Sequence, residues 1–191
     1  MSIPLVAEQR SAFRRGAVPP PRPISDGVWS IPVPLTGSPL VSMTMYLVET
    51  AGGLVLVDAG YDDEDAWRAL LAGLRAAGAA PSEVRTVVLT HNHPDHVGLA
   101  GRLRAEGGAA VAVHPLDCFA VQREIRGGFL DQLERSLRLA GVPEPVHEAM
   151  MRSGRRVARH DESLVPDLLL EEGPLPGAPG LEVLHTPGHT Y

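Results

Sequence analysis

Apolar residues in this chain are spaced first as strands and then as helices. Three short runs come early, Gly27 to Val33, Val41 to Glu49 and Leu54 to Val57. Turn-forming stretches, Thr36-Gly37-Ser38-Pro39 and Ala51-Gly52-Gly53, separate them. Such runs predict consecutive antiparallel strands. In the second, Met43, Met45 and Leu47 fall on one face and Thr44, Tyr46 and Val48 on the other, a period of two.

The period then lengthens. Asp62, Asp63, Glu64 and Asp65 form an acidic helix start, favourable at the positive end of a helix dipole. Trp67, Leu70, Leu71 and Leu74 follow at helical spacing, with Gly78 as a stop. Val87-Val88-Leu89 reads as a buried strand, His91 to His96 as a loop, Val97 to Ala105 as a helix and Ala109 to Val113 as another buried strand ending at His114-Pro115. From Leu116 to about Val157 the spacing is helical. Leu130, Leu133 and Leu137 make one stripe, and Val146, Ala149, Met150 and Val157 a looser second. Leu168 to Leu170 and Leu181 to Leu184 are expected to return to the sheet as strands. The order predicts an α/β sandwich with an antiparallel start followed by strand–helix alternation. Residues 1 to about 22 read as a polar, Pro-rich lead-in, and residues 23–191 as one domain carrying a helical insert at about 116–157.

Composition changes this picture little. The chain has 191 residues, enough for one domain with a full core. At 44% hydrophobic and 21% charged it has globular rather than disordered composition. A net charge of −6 argues against general nucleic-acid binding, which needs a cationic surface, although Arg152, Arg155, Arg156 and Arg159 make a local basic segment. Cys118 is the only cysteine, so no intrachain disulfide forms, in keeping with a cytoplasmic location. No apolar stretch is long enough to span a bilayer, and Arg14-Arg15 leads into Pro19-Pro20-Pro21 rather than a signal-like apolar region.

The chemistry is concentrated in His91-Asn92-His93-Pro94-Asp95-His96. Imidazole and carboxylate are ligands that zinc accepts. His91 and His93, one residue apart on an extended segment, project the same way. Asp95 and His96 sit where the chain turns into a helix, with Pro94 comfortable in a first turn that needs no N–H from it. Two neighbouring metals therefore have a ligand supply, His91 and His93 for one, Asp95 and His96 for the other. A polar loop capping a helix explains one histidine with ease, but not three with an aspartate in this order.

Thr90 to Gly98 resembles the signature of the metallo-β-lactamase superfamily. Leu56-Val57-Asp58-Ala59-Gly60 is similar to its strand-ending Asp-x-Gly segment, and His185-Thr186-Pro187-Gly188-His189-Thr190 to its later His-Thr-Pro-Gly-His-Thr turn. The resemblance implies an αββα sandwich, with the first layer largely present here and the second incomplete. It implies that His91, His93 and His189 bind a first metal, that Asp95 and His96 contribute to a second, and that Asp58 orients the ligand loop. His185 is not a ligand in such proteins. The implied activity is zinc-dependent hydrolysis of an ester, thioester or lactone of a small-molecule substrate, by a metal-bound hydroxide that Asp95 helps to orient, as in the glyoxalase II-like group. An iron-dependent persulfide dioxygenase of the same fold and a non-catalytic binding domain are the competing readings. The bridging aspartate and final histidine of a two-metal centre would lie after His189, where only Thr190 and Tyr191 stand, so the chain is expected to be a fragment of a longer protein.

The remaining candidates have plainer expectations. His114 is read as a strand-end residue, His147 and His160 as surface residues, and Cys118 as a small buried hydrophobe. Phe119, Phe129, Met150 and Met151 are expected to give the substrate cleft an apolar lining.

Overall fold

The computed structural model describes residues 10–12, 14–36, 40–118, 128–161 and 164–190, without the side chains of Phe129 and of residues 156–161. Its centre is a seven-stranded sheet in sequence order. Strands β1 (Arg22–Ser25), β2 (Val28–Pro34), β3 (Ser42–Thr50) and β4 (Gly53–Val57) pair antiparallel. From β4 the sheet becomes parallel, through β5 (Val84–Leu89), β6 (Ala110–Val113) and β7 (Leu168–Leu169). The change follows from the connections. Short turns join the first four strands, whereas a parallel neighbour needs a long crossover, here a helix.

That first crossover helix, α1 (Glu64–Ala76), starts where the acidic run predicts. Asp63 caps it by accepting the Ala66 N–H at 2.7 Å. Its apolar stripe, Trp67, Leu70 and Leu74, is buried against Ile31, Val33, Met45, Leu47 and Leu56 on one sheet face. The period-two reading of β3 holds there, with Met45 and Leu47 in the core and Tyr46 37% exposed. Arg102 lies over the Trp67 ring at 4.3 Å and bonds Glu64 and Glu106, closing the outer edge of this layer.

The helix expected over Val97 to Ala105 is two helices, α2 (Pro94–Val97) and α3 (Ala100–Gly107). The chain breaks at Gly98-Leu99 because the backbone there bonds the loop after β4. Ala59 N–H donates to the His96 carbonyl at 2.8 Å, and Leu99 N–H to the Ala59 carbonyl at 3.3 Å.

The helical insert gives two helices among its described residues, α4 (Phe129–Leu139) and α5 (Glu144–Asp161), packed on each other. Leu137 is buried as the first stripe predicts. The second stripe is out of phase: Val146 and Met150 are exposed, and α5 buries His147 and Met151 instead. His147 is thus a buried residue rather than a surface one, and among the described residues neither ring nitrogen makes a hydrogen bond. The histidine looks polar in sequence, which hides that positions 147 and 151 share the inward face.

Of the two late strands, only β7 joins the main sheet. The other, β9 (Glu182–Val183), pairs with β8 (Gly173–Pro174) in a separate two-stranded ribbon. This ribbon covers the second face of the large sheet. Leu175 and Ala178, from the loop between β8 and β9, pack with Val55, Ala112 and Leu170 in a smaller core. The architecture is therefore a helix-covered sheet with the beginning of a second layer on its far side, the incomplete α/β sandwich that the motifs imply. Among the described residues no helix is long and apolar enough to cross a membrane.

Candidate metal centre

The carboxyl ends of the parallel strands and the segment after β9 meet at one edge of the sheet, where open α/β sheets characteristically bind ligands. The loop after β4 supplies Asp58, the loop after β5 supplies Thr90 to His96, the loop after β6 supplies His114 to Asp117, and the last segment supplies His185 to Thr190. The structure brings His91, His93 and His189 together, with one ring nitrogen from each within 4.8 Å of the others. His91 Nε2 and His93 Nδ1 are 3.0 Å apart. Two nitrogens on one tetrahedral zinc stand about 3.3 Å apart, since each bond is about 2.0–2.1 Å. The donor set and its spacing therefore fit a first-row cation such as zinc.

Asp58 orients two rings of this cluster, His96 directly and His91 through Thr90. It is buried and holds a left-handed backbone (φ 64°), a conformation to which aspartate is better suited than most residues. Its Oδ1 accepts the Thr90 N–H at 2.8 Å, and Thr90 Oγ1 lies 3.0 Å from each carboxylate oxygen. Its Oδ2 accepts His96 Nδ1–H at 2.8 Å. With the Thr90 hydroxyl donating to Asp58, its oxygen is left to accept from His91 Nδ1, 3.0 Å away. The protons of both rings thus sit on Nδ1, an assignment made from their partners. Nε2 of His91 is then free to face His93, and Nε2 of His96 to face Asp95, whose Oδ2 is 3.6 Å away.

Burial and mutual repulsion bias the first pair toward the neutral form. The His91 pKa is pushed down to about 4 by burial first, then by the neighbouring charges of His96 and His93. His93 is lowered by burial and then by His189. Burial also opposes charge on His96, but the hydrogen bond and charge of Asp58, with that of Asp95, outweigh it and raise its pKa. A pH dependence follows for the metal-free protein. Between pH 6.5 and about 4 the unfolded chain takes up a proton at His91 that the folded chain refuses, so this residue's contribution to stability is lost as pH falls through that window. His96 acts in the opposite sense, contributing stability that disappears as pH rises through its raised value. With chelator present, the thermal midpoint of His91→Gln is expected to vary less between pH 6.5 and 4 than that of the parent chain. Parallel profiles would contradict it.

Two features were not legible in the sequence. Asp117, 5% exposed, accepts the Asn92 N–H at 3.3 Å through Oδ1 and the Thr190 hydroxyl at 3.2 Å through Oδ2. His114 does end its strand as expected, its Nδ1 accepting the Leu116 N–H at 3.3 Å, but it also stacks on His185 with ring centroids 4.2 Å apart. Both residues border a cavity of about 320 Å³ between the second sheet face and the ribbon, with Val57, Val88 and Leu181 as apolar wall and Thr90 and Thr190 toward the histidines.

Of the residues expected to line a cleft, Met150 is exposed and Met151 is buried, and neither borders the cavity described above, while Phe119 and the Phe129 side chain lie outside the described residues. His160 likewise lies outside the described side chains, while Cys118 is buried as expected. The insert does reach the site, since α5 packs on the short α2 that carries Asp95 and His96.

Comparison with known proteins gives consistent matches. The sequence model of the Metallo-beta-lactamase superfamily matches residues 40–191. A metallo-beta-lactamase family protein from Thermus thermophilus superposes with a TM-score of 0.71 at 30% identity, over 88% of this chain and 54% of that one. The human Metallo-beta-lactamase domain-containing protein 1 is 33% identical over 143 residues, 75% of this chain and 37% of that protein. The probable metallo-hydrolase YqjP of Bacillus subtilis is 46% identical over a shorter 55 residues, 29% of this chain and 17% of that one. An uncharacterized protein of Aquifex aeolicus is 28% identical over 152 residues, 78% of this chain and 56% of that protein. The chain thus spans little more than half the length of these relatives, or less.

Proposed function

Since this chain belongs to the metallo-beta-lactamase superfamily, we propose that it is the metal-binding part of a zinc-dependent hydrolase that cleaves an ester, thioester or lactone of a small molecule in a reducing, cytoplasmic compartment. The observation that carries the reading is the convergence of His91, His93 and His189, with two ring nitrogens 3.0 Å apart and both of those rings biased toward the neutral, ligating form.

In this reading His91, His93 and His189 hold one cation, and His96 with Asp95 offers two ligands to a second. A bound zinc supplies acidification of water and polarisation of a carbonyl. The protein's own residues do the rest. Asp58 and Thr90 hold the His91 and His96 rings with Nε2 outward, and Asp95 stands 3.6 Å from His96 where it can orient a water or take its proton. The net charge of −6 favours small acyl substrates over nucleic-acid phosphodiesters, whose polyanionic backbone an acidic protein repels.

The test is metal analysis of the protein in its full length, joined to turnover on matched thioester, lactone and phosphodiester substrates. Stoichiometric zinc with chelator-sensitive acyl hydrolysis is expected. Bound iron with oxygen consumption would move the assignment to a dioxygenase, and metal-free protein inactive on every substrate would overturn it in favour of a binding domain.

A further inference from the structure

Nothing in the motif itself explains how His189 is held against His91 and His93. It lies 96 residues after His93 in sequence and is exposed, on a turn closed by Gly188 N–H donating to the Thr190 carbonyl at 3.3 Å. Its ring nevertheless stands edge-on to His91 and His93, with centroids 4.9 and 4.6 Å away. Among the described residues the turn has no strand pairing of its own, for β9 has ended at Val183.

We propose that Asp117 is the positioning residue that assembles the three-histidine site, clamping the His189 turn onto the His91–His93 loop. This rests on the metal-site reading above. The carboxylate is a buried bridge between the two arms. Oδ1 accepts the backbone N–H of Asn92, the residue between the first two histidines, and Oδ2 accepts the hydroxyl of Thr190, the residue after the third. Asp117 itself is fixed by the 3-10 turn Pro115–Asp117 directly after β6, where Asp117 N–H donates to the His114 carbonyl at 2.9 Å. It therefore refers both arms to the sheet. A group that accepts on two separate oxygens suits this task, and burial leaves water little access to replace it. Asp117 touches no reacting atom and acts through the residues adjoining the ligands.

The chemistry makes a sharp test possible, because asparagine can imitate the clamp. Its Oδ1 can accept the Asn92 N–H while its Nδ2 donates to Thr190 Oγ1, a hydroxyl that accepts as readily as it donates. Zinc affinity is read by competition against a chromophoric chelator, with far-UV circular dichroism reporting the fold. Asp117→Ala and Thr190→Val are each expected to bind zinc about 10-fold more weakly, in the range typical of residues that support ligands. Asp117→Asn should stay within about 2-fold of the parent chain, and the double variant should lose no more than Asp117→Ala alone, since both remove the same link. Should Asp117→Ala fail to fold, Thr190→Val reports the same bond from its other end. Parent-like affinity in both single variants overturns the clamp, as does an Asp117→Asn as weak as Asp117→Ala beside an unaffected Thr190→Val, which would mean the carboxylate acts by charge. A parent chain that binds no zinc overturns the metal reading itself, and is thereby told apart.

Discussion

Replacing Asp58 by alanine is expected to weaken zinc binding about 100-fold and to lower stability by about 2–4 kcal/mol. The carboxylate is buried and takes the Thr90 N–H, the Thr90 hydroxyl and His96 Nδ1–H. Its removal leaves those donors without their acceptor, at about 1–3 kcal/mol for each one that water cannot reach. Alanine must also adopt φ 64°, at a further cost of about 1–2 kcal/mol. The larger loss in binding arises because two rings are set loose together, His96 directly and His91 through Thr90. Asp58→Asn separates the two effects. Its carbonyl can still accept the Thr90 N–H, but its amide would present a donor to His96 Nδ1. His96 would then carry its proton on Nε2, the atom facing Asp95. The asparagine variant should therefore keep the fold and the three-histidine site while losing any second zinc. Calorimetric titration with zinc distinguishes the outcomes, and a parent-like titration of Asp58→Ala would refute the argument.

Gly98→Ala is expected to be the most damaging single methyl group at the site, lowering stability by about 3 kcal/mol and the thermal midpoint by about 6–12 °C. Gly98 has ordinary right-handed helical dihedrals (φ −50°, ψ −56°), so its need for glycine is steric rather than conformational. A Cβ there would sit 2.3 Å from the Asp62 nitrogen, 2.5 Å from the Gly60 carbonyl oxygen and 2.6 Å from the Tyr61 carbonyl carbon. All three are backbone atoms and cannot rotate away. Relief requires separating the loop after β4 from the loop after β5, which are bonded through Ala59, His96 and Leu99 and carry Asp58 and the histidines. Metal affinity should fall with stability. Gly101→Ala, three residues on, is the control: its Cβ meets nothing within 4 Å, and a glycine replaced within a helix gains up to about 1 kcal/mol. Thermal unfolding of the pair measures the contrast, and equal midpoints would defeat the packing argument.

Legibility in the sequence varied with the physical origin of each feature. Local features could be read directly. The alternation in β3, the acidic cap and apolar stripe of α1, and the dense run from His91 to His96 each report interactions between near neighbours in the chain. Features that depend on a distant partner were misread or missed. The break at Gly98-Leu99 exists because the backbone bonds Ala59, about 40 residues earlier. The inward face of α5 was set by what it packs on, so His147 is buried while Val146 is exposed. The same packing buries Met151 and leaves Met150 exposed, a difference that hydrophobicity alone does not make.

The candidate metal centre shows the same division. The candidate ligand types, their order along the chain and the α/β sheet that carries them were legible in the sequence, because a strand–loop–helix motif encodes its own local geometry. The resemblance already grouped His189 with His91 and His93 and gave Asp58 a supporting role, and the structure brings the three rings together. Only three dimensions revealed which atoms Asp58 bonds and that Asp117 lies between Asn92 and Thr190, 25 and 73 residues away. Hydrogen bonds and ring contacts act over a few ångströms in space and take no account of separation along the chain. Such partnerships exist only once the sheet has brought its strand ends to one edge.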